Sequence, residues 1–332
     1  MQNFLQTGVH KFEADKVTTI DLKTDYFQSS GYLVFDYKVD NHGGAAPTGA
    51  RNFARIANLI REIKITINDN DDIMRLSGLE LMAIYMADHG RAPSTMPFVF
   101  DDEEYTRAVM PINHWTTNSN IIALTGHDFR SVDKAVMEIT WSNIGSLFHN
   151  PQDCTIDLNV SYTQQAIHAY RSPVNVKRPG TNARGRPRRF NPMVRHFYRS
   201  QEKFASNVVD VELGRIERGP NAVCKGFIMF SELLGNVDAN AFHGDITLTQ
   251  GNKTLSRVPV DVLIASHEVN KGQEVSRQIL YFPFSGLFQC EEFENMSAWQ
   301  DDIIIRGNFN NLGALETNCN ILADAYRDER LT

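Results

Sequence analysis

Short runs that alternate apolar with polar residues recur along most of this chain. Ile65-Thr66-Ile67 and Ile156-Asp157-Leu158-Asn159-Val160 show the period of two that puts one strand face inside and one outside. Tyr32–Tyr37, Glu62–Ile67, Ala135–Trp141, Thr155–Tyr162, Phe227–Phe230, Asp245–Thr249, Gln278–Phe284 and Ile303–Arg306 read as strands on the same grounds. They are rich in β-branched and aromatic residues and are bounded by Asn, Asp, Gly and Pro. One wet face per strand suits antiparallel sheets. Asn68 to Asp72 supplies residues that tolerate left-handed backbone, as a hairpin turn needs. A helical period appears after Ser77-Gly78-Leu79-Glu80, which has the form of a capping box. Leu79, Met82, Ile84 and Met86 continue that helix, and Gly90 is its expected left-handed stop. A second helix is expected near Pro259–Ser266, opening with proline at its first position.

The pattern repeats within the chain. Lys11-Phe12 with Val17, Ile20, Asp21 and Leu22 returns as Lys203-Phe204 with Val208, Val211, Glu212 and Leu213. Gly31–Phe35 returns as Gly226–Phe230, and Ile65–Ile67 as Ile246–Leu248. Arg75-Leu76 with Leu81 and Ala83 answers Arg257-Val258 with Leu263 and Ala265. Phe98–Phe100 and Cys154–Ile156 answer Phe282–Phe284 and Cys319–Ile321. The offset is about 190 residues, far beyond the 20–50 of solenoids and propellers, and is the length of a whole domain. The chain of 332 residues therefore reads as all-β, two tandem eight-stranded jelly-roll β-sandwiches (a double jelly roll) with short inserted helices. The expected limits are residues 1–168 for the first jelly roll, 169–195 for a connector and 196–332 for the second.

Composition adds a charged connector to this picture. The whole chain carries a net charge of −7, yet Leu158 to Gln201 holds nine basic residues and no acidic one. Two acidic modules thus flank a basic segment rich in Pro, Gly, Asn and Arg. Within it, Arg184-Gly185-Arg186-Pro187-Arg188-Arg189 is similar to the Arg-Gly-Arg-Pro core with which extended arginines enter a narrow minor groove. The plainer reading is that these arginines meet acidic faces of the same protein, and phosphate contact alone would need no sequence reading. No apolar stretch approaches the ~20 residues of a membrane-crossing helix, and the first residues lack the layout of a secretory signal. Cys154, Cys224, Cys290 and Cys319 stand far apart, as reduced core residues made in a cytoplasm would.

Catalytic patterns are hard to find. The ten histidines include no HxH, HExxH or i, i+4 pair, and His10, His89, His114 and His267 read as surface or loop residues. Asp101-Asp102-Glu103-Glu104 and Asn68–Asp72 offer oxygens to a structural calcium, but without the spacing of a calcium loop they read as solvated turns, and no cofactor is expected. Ser131-Val132-Asp133-Lys134 matches S-x-x-K only formally.

Ile63–Ile67, a turn, Arg75-Leu76-Ser77-Gly78-Leu79-Glu80-Leu81 and then Met96-Pro97-Phe98-Val99-Phe100 resemble the first barrel of the double jelly-roll major capsid proteins of tailless icosahedral bacteriophages of the corticovirus type. The resemblance is sharpest over residues 60–105. It implies a structural, non-enzymatic protein, made in the host cytoplasm and resident in the virion. Three chains would give a pseudo-hexagonal homotrimer that tiles an icosahedral lattice, commonly over an internal membrane. The implied partners are further copies of the chain, vertex and minor capsid proteins, and a genome or membrane. Arg184, Arg186, Arg188 and Arg189 are the expected genome or lipid contacts, and Phe288, Phe293 and Trp299 the expected subunit contacts. The rivals are a carbohydrate-binding double β-sandwich with exposed aromatics and a jelly-roll hydrolase with converging carboxylates such as Asp101 and Glu103.

Overall fold

A computed structural model describes residues 2–24, 26–40, 53–69, 71–100, 103–113, 127–129, 132–143, 155–167, 193–217, 219, 222–233, 236–284, 294–295, 301–313 and 315–328. They divide between two compact units. One comprises Met1–Gly78, Pro93–Arg195 and Asp328–Thr332; the other comprises Leu79–Ala92 and His196–Arg327.

The first part of the chain forms β1 (Gln2–Gln6), β2 (His10–Lys11), β3 (Val17–Asp21), β4 (Phe27–Asp40), α1 (Phe53–Asn58), β5 (Ile60–Ile67) and β6 (Asp71–Leu76). Helix α2 (Gly78–His89) follows, then β7 (Thr95–Phe100), β8 (Glu103–Asn113), β9 (His127–Asp128), β10 (Ala135–Trp141) and β11 (Thr155–Ile167). The remainder forms β12 (Met193–Phe204), β13 (Val208–Ile216), β14 (Ala222–Leu233), β15 (Asn236–Asp238), β16 (Phe242–Gln250) and β17 (Lys253–Pro259). Helix α3 (Val260–Lys271), β18 (Leu280–Pro283), β19 (Glu294–Asn295), β20 (Ile303–Phe309) and β21 (Thr317–Asp328) complete it.

The alternation read from sequence is the alternation of burial. Ile63, Ile65 and Ile67 of β5 are buried, as are Ala135, Met137, Ile139 and Trp141 of β10, while the residues between them are half-buried. In the first unit a four-stranded sheet runs β3-β10-β5-β6 and a larger one β1-β11-β4-β8-β7, with β2 added on β11 and β9 on β4. In the second unit the four-stranded sheet runs β13-β20-β16-β17 and the larger one β12-β21-β14-β15, with β18 and β19 added on β14. The registered pairs are antiparallel. The two small sheets have the same strand order when matched by position in the repeat. This architecture is consistent with jelly-roll-like sandwiches.

In the second unit, one apolar cluster takes Leu213, Phe242, Ile246, Leu248, Ile303 and Ile305 from the small sheet, and Phe227, Met229 and Ile321 from the large one. Residues of β14 on the other side, Ile228 and Phe230, are also buried, so this strand reads as a continuous apolar run rather than an alternating one.

The hairpins bear out the turn chemistry. Asn68 and Asp69 both adopt positive φ, 48° and 62°, between β5 and β6, the signature of a tight hairpin turn whose twist matches the strands. The arginine shared by the two halves does the same thing in each: Arg75 pairs with Glu62, and Arg257 with Asp245 at 2.7 Å, both on the preceding strand. Being exposed, each such pair is largely screened by solvent and does little for stability.

Two details differ from the sequence reading. Pro259 is the residue before α3, not its first: φ −60° and ψ 142° keep it extended because it still pairs with Asp245. The echo of Phe98–Phe100 in Phe282–Phe284 is displaced by one strand. Strand β18 pairs with β14 as β8 does with β4, whereas β7 pairs with β8. Short apolar runs look alike, and local composition does not carry the identity of the partner strand.

Trp141 anchors one end of the small sheet in the first unit. It is fully buried, its Nε1 donates to Thr18 Oγ1 at 2.7 Å, and its ring meets Phe12 edge-on at 5.2 Å.

Candidate functional site

The arginines Arg184, Arg186, Arg188 and Arg189, and the aromatics Phe288, Phe293 and Trp299, lie outside the described residues, as does most of the expected connector 169–195. The acidic turn at Asn68–Asp72 is engaged by the protein's own cations. Lys134 Nζ donates to Asp69 at 2.8 Å, Lys64 lies 3.2 Å from Asp72, and Asn68 Oδ1 accepts from the Asp133 amide at 3.0 Å. Of the second acidic run, Glu103 and Glu104 pair along β8, and Asp101 and Asp102 lie outside the described residues. Among the described residues no three His, Cys, Asp or Glu side chains converge as metal ligands would. Cys224 and Cys319 are buried free thiols, and burial pushes the Cys319 thiol well up from its ordinary range. Cys154 and Cys290 lie outside the described residues.

The most built-up polar constellation is in the second unit, where α2 ends. Helix α2 is apolar on every side: Leu79, Leu81, Met82, Ala83, Ile84, Met86 and Ala87 are all buried. A helix of that kind is covered on most of its faces, with Tyr85 and His89 only half-buried, and each fully buried Leu, Ile or Met contributes about 1.5–3 kcal/mol. Its last carbonyls have no partner within the helix itself. They are met by a row of donors from α3 and the segment after it. His267 Nε2 lies 3.1 Å from Ala87 O, Lys271 Nζ donates to Asp88 O at 2.8 Å, and Gln273 Nε2 donates to His89 O at 2.8 Å. The Ser276 amide closes the row on Gly90 O at 2.6 Å. Gly90 turns the chain there with φ 74°, its amide reaching back to Met86 O at 2.7 Å.

His267 is therefore no surface histidine. It is buried, with its ring 5.5 Å from that of Tyr281, and desolvation pushes its pKa down to about 4. The hydrogen bond to Ala87 and the charge of Asp88 resist that shift, while Lys271 and Lys225 add to it. A neutral imidazole donating to a carbonyl fixes structure. Nearby, Arg199 stands 3.7 Å from Glu80, and burial raises the pKa of Glu232, with Glu80's charge acting in the same direction. The sequence signal for this site was present in Leu79–Ala87, whose apolar residues occupy all faces rather than one.

No family model matches the chain, and no curated protein matches it. Solved structures do. The crystal structure of the STIV MCP superposes with a TM-score of 0.70 at 11% identity, over 98% of this chain and 97% of that one. The quasi-atomic model of the PBCV-1 virus capsid gives 0.58 at 10% identity, over 98% and 93%. The major capsid protein P2 from bacteriophage PM2 gives 0.52 at 9% identity, over 100% and 99%. The likeness extends over the full length of both chains in each comparison, and at these identities it establishes the fold: that of viral major capsid proteins.

Proposed function

We propose that this chain is a major capsid protein of a tailless icosahedral virus of the corticovirus type. Each half is an eight-stranded jelly roll, and three chains present six similar barrels in a pseudo-hexagonal homotrimer. These trimers tile the shell, and their work is geometric rather than catalytic. The basic connector faces the particle interior, where Arg184, Arg186, Arg188 and Arg189 meet genome phosphates or anionic headgroups. Vertex and minor capsid proteins complete the shell, which is assembled from chains made in the host cytoplasm.

The observation that carries this reading is the repeated strand order, β3-β10-β5-β6 in one unit and β13-β20-β16-β17 in the other. A doubled fold gives a three-chain assembly the outline of a sixfold one, which is what a hexagonal lattice position requires. Its full-length likeness to viral capsid structures supports the same reading. Sedimentation and electron microscopy of the expressed protein test it. Trimers with a hexagonal outline, or shells, are expected; a stable monomer at micromolar concentration would overturn it.

A further inference from the structure

Strand β14 carries apolar residues on both faces, and on one of them the apolar run ends in a charge. Phe227 and Met229 join the core cluster, while Ile228 and Phe230 point the other way and are buried too. Side chains alternate along a strand, so the next residue on that second face is Glu232. Its registered partner on β21 is Asn318, and Phe230 stands opposite Asn320. Asn318 Nδ2 donates to Glu232 Oε2 at 3.5 Å, and Asn320 is buried beside them. The second face thus passes from apolar residues into one half-buried carboxyl flanked by two amides.

A second carboxyl comes to this place from α2. Glu80 lies in the first turn of that helix and is only 8% exposed. It is compensated there: Arg199 Nε of β12 stands 3.7 Å away, and the start of a helix favours negative charge. Its charge nevertheless reaches Glu232. Two carboxyl groups from two elements of the second unit therefore meet where burial penalises every charge that is not matched.

The surroundings decide which form of Glu232 is favoured. Burial raises its pKa most, and the charge of Glu80 on α2 adds to that. Hydrogen bonding to Asn318 and Asn320 of β21 and the charge of Lys203 on β12 act the other way without cancelling it. A folded-state pKa above the unfolded one means that the seat is firmest at low pH and weakens as the pH rises through the raised value. His267 at the other end of the same helix has the opposite sign, its pKa being lowered. The two ends of α2 respond to acid in opposite senses.

We propose that Glu232 and Glu80 form a proton-operated latch that sets how firmly the first turn of α2 is held against β14. With a proton on Glu232, one charge remains in the pair, it is matched by Arg199, and the turn stays seated. With both carboxyls ionised the pair repels, and the first turn opens. The last turn stays in place through His267, Lys271 and Gln273, so the opening is local. The latch belongs to the second unit alone and does not depend on how copies of the chain assemble.

Hydrogen exchange at the Met82, Ala83 and Ile84 amides tests it, corrected for the ordinary base catalysis of exchange. The chain carries His267→Gln, so that the histidine adds no pH dependence of its own. Opening of these amides should be at least about threefold greater at pH 8 than at pH 5. Adding Glu232→Gln, which imitates the protonated acid, should leave them closed at both values. A pH dependence that survives Glu232→Gln, or none in its absence, overturns the latch. A glutamate that serves only as an ionised partner of Lys203 and Asn318 gives the reverse: more opening at pH 5, and more in the Gln variant at pH 8. That result overturns it too. If the Gln variant fails to fold, carboxyl carbon NMR of the unmodified chain decides. Glu232 should titrate above the ordinary glutamate range, and Glu80→Gln should lower its midpoint. A Glu232 midpoint within or below that range, or one unmoved by Glu80→Gln, overturns the proposal.

Discussion

His267 Nε2 sits 3.1 Å from the carbonyl oxygen of Ala87, a residue on the other helix of the repeat and in the other half of the sequence. The imidazole is kept neutral there by burial, with its pKa near 4 against about 6.5 in an unfolded chain. Between those values the unfolded chain binds a proton that the folded chain rejects. Stability is full above about pH 6.5 and falls as the pH drops toward 4, by on the order of 3 kcal/mol from this residue alone. Gln in place of His267 keeps a donor and cannot titrate, so His267→Gln should flatten that part of the profile. Urea midpoints at pH 7, 5.5 and 4.5 measure it; an unchanged slope in the variant refutes the assignment.

Gly31 is fixed by a close approach rather than by backbone angles. A Cβ there would lie 1.8 Å from Tyr162 Oη, which accepts from Gln28 Nε2 at 2.6 Å, and Gln28 in turn accepts from Gln164 at 2.9 Å. Burial holds the Tyr162 phenol well above its ordinary pKa. Gly31→Ala should cost about 3 kcal/mol by overpacking, read as a lowered urea midpoint. Gly8→Ala, whose nearest neighbour is 4.0 Å away, should change stability by less than about 0.5 kcal/mol.

The Trp141–Thr18 hydrogen bond ties β10 to β3 at a bulge in the sheet. Trp141→Phe and Thr18→Val should each cost about 1–3 kcal/mol, since each leaves a partly buried partner without its bond. The double variant should lose less than the sum, because it leaves neither orphan. A double-mutant cycle by thermal unfolding checks this, and strict additivity would show that the bond contributes nothing.

Changing Arg184, Arg186, Arg188 and Arg189 together to Ser should leave trimers intact while lowering particle assembly or packaging. Binding of the unmodified protein to single- or double-stranded nucleic acid, or to anionic vesicles, should fall steeply with salt, and the variant's salt dependence should be shallower by up to about 4 in log–log slope. Infectious particles in normal yield from the variant would remove the connector from assembly.

Strand positions were legible because burial on one face writes a period of two into β5, β10 and β11, and that period survives sequence divergence. The repeat was legible for the same reason: Ile65–Ile67 and Ile246–Leu248 fall on equivalent strands in sheets of equivalent order. Partner choice was not, as Phe98–Phe100 and Phe282–Phe284 demonstrate, since an edge strand and its inner neighbour can carry the same apolar run. Nor was the burial of His267, whose environment is made by residues remote in sequence.

The placement of α2 also governs how the protein can be made. A helix apolar on all sides emerges from the ribosome with Leu79–Ala87, while His267, Lys271 and Gln273, which cover its end, come much later. At typical synthesis rates the delay is roughly ten to forty seconds. For that interval the nascent chain carries a sticky cylinder with no permanent seat, the kind of segment that chaperones hold and that truncated products aggregate through. Stopping translation anywhere before Gln273 leaves that helix without its cover.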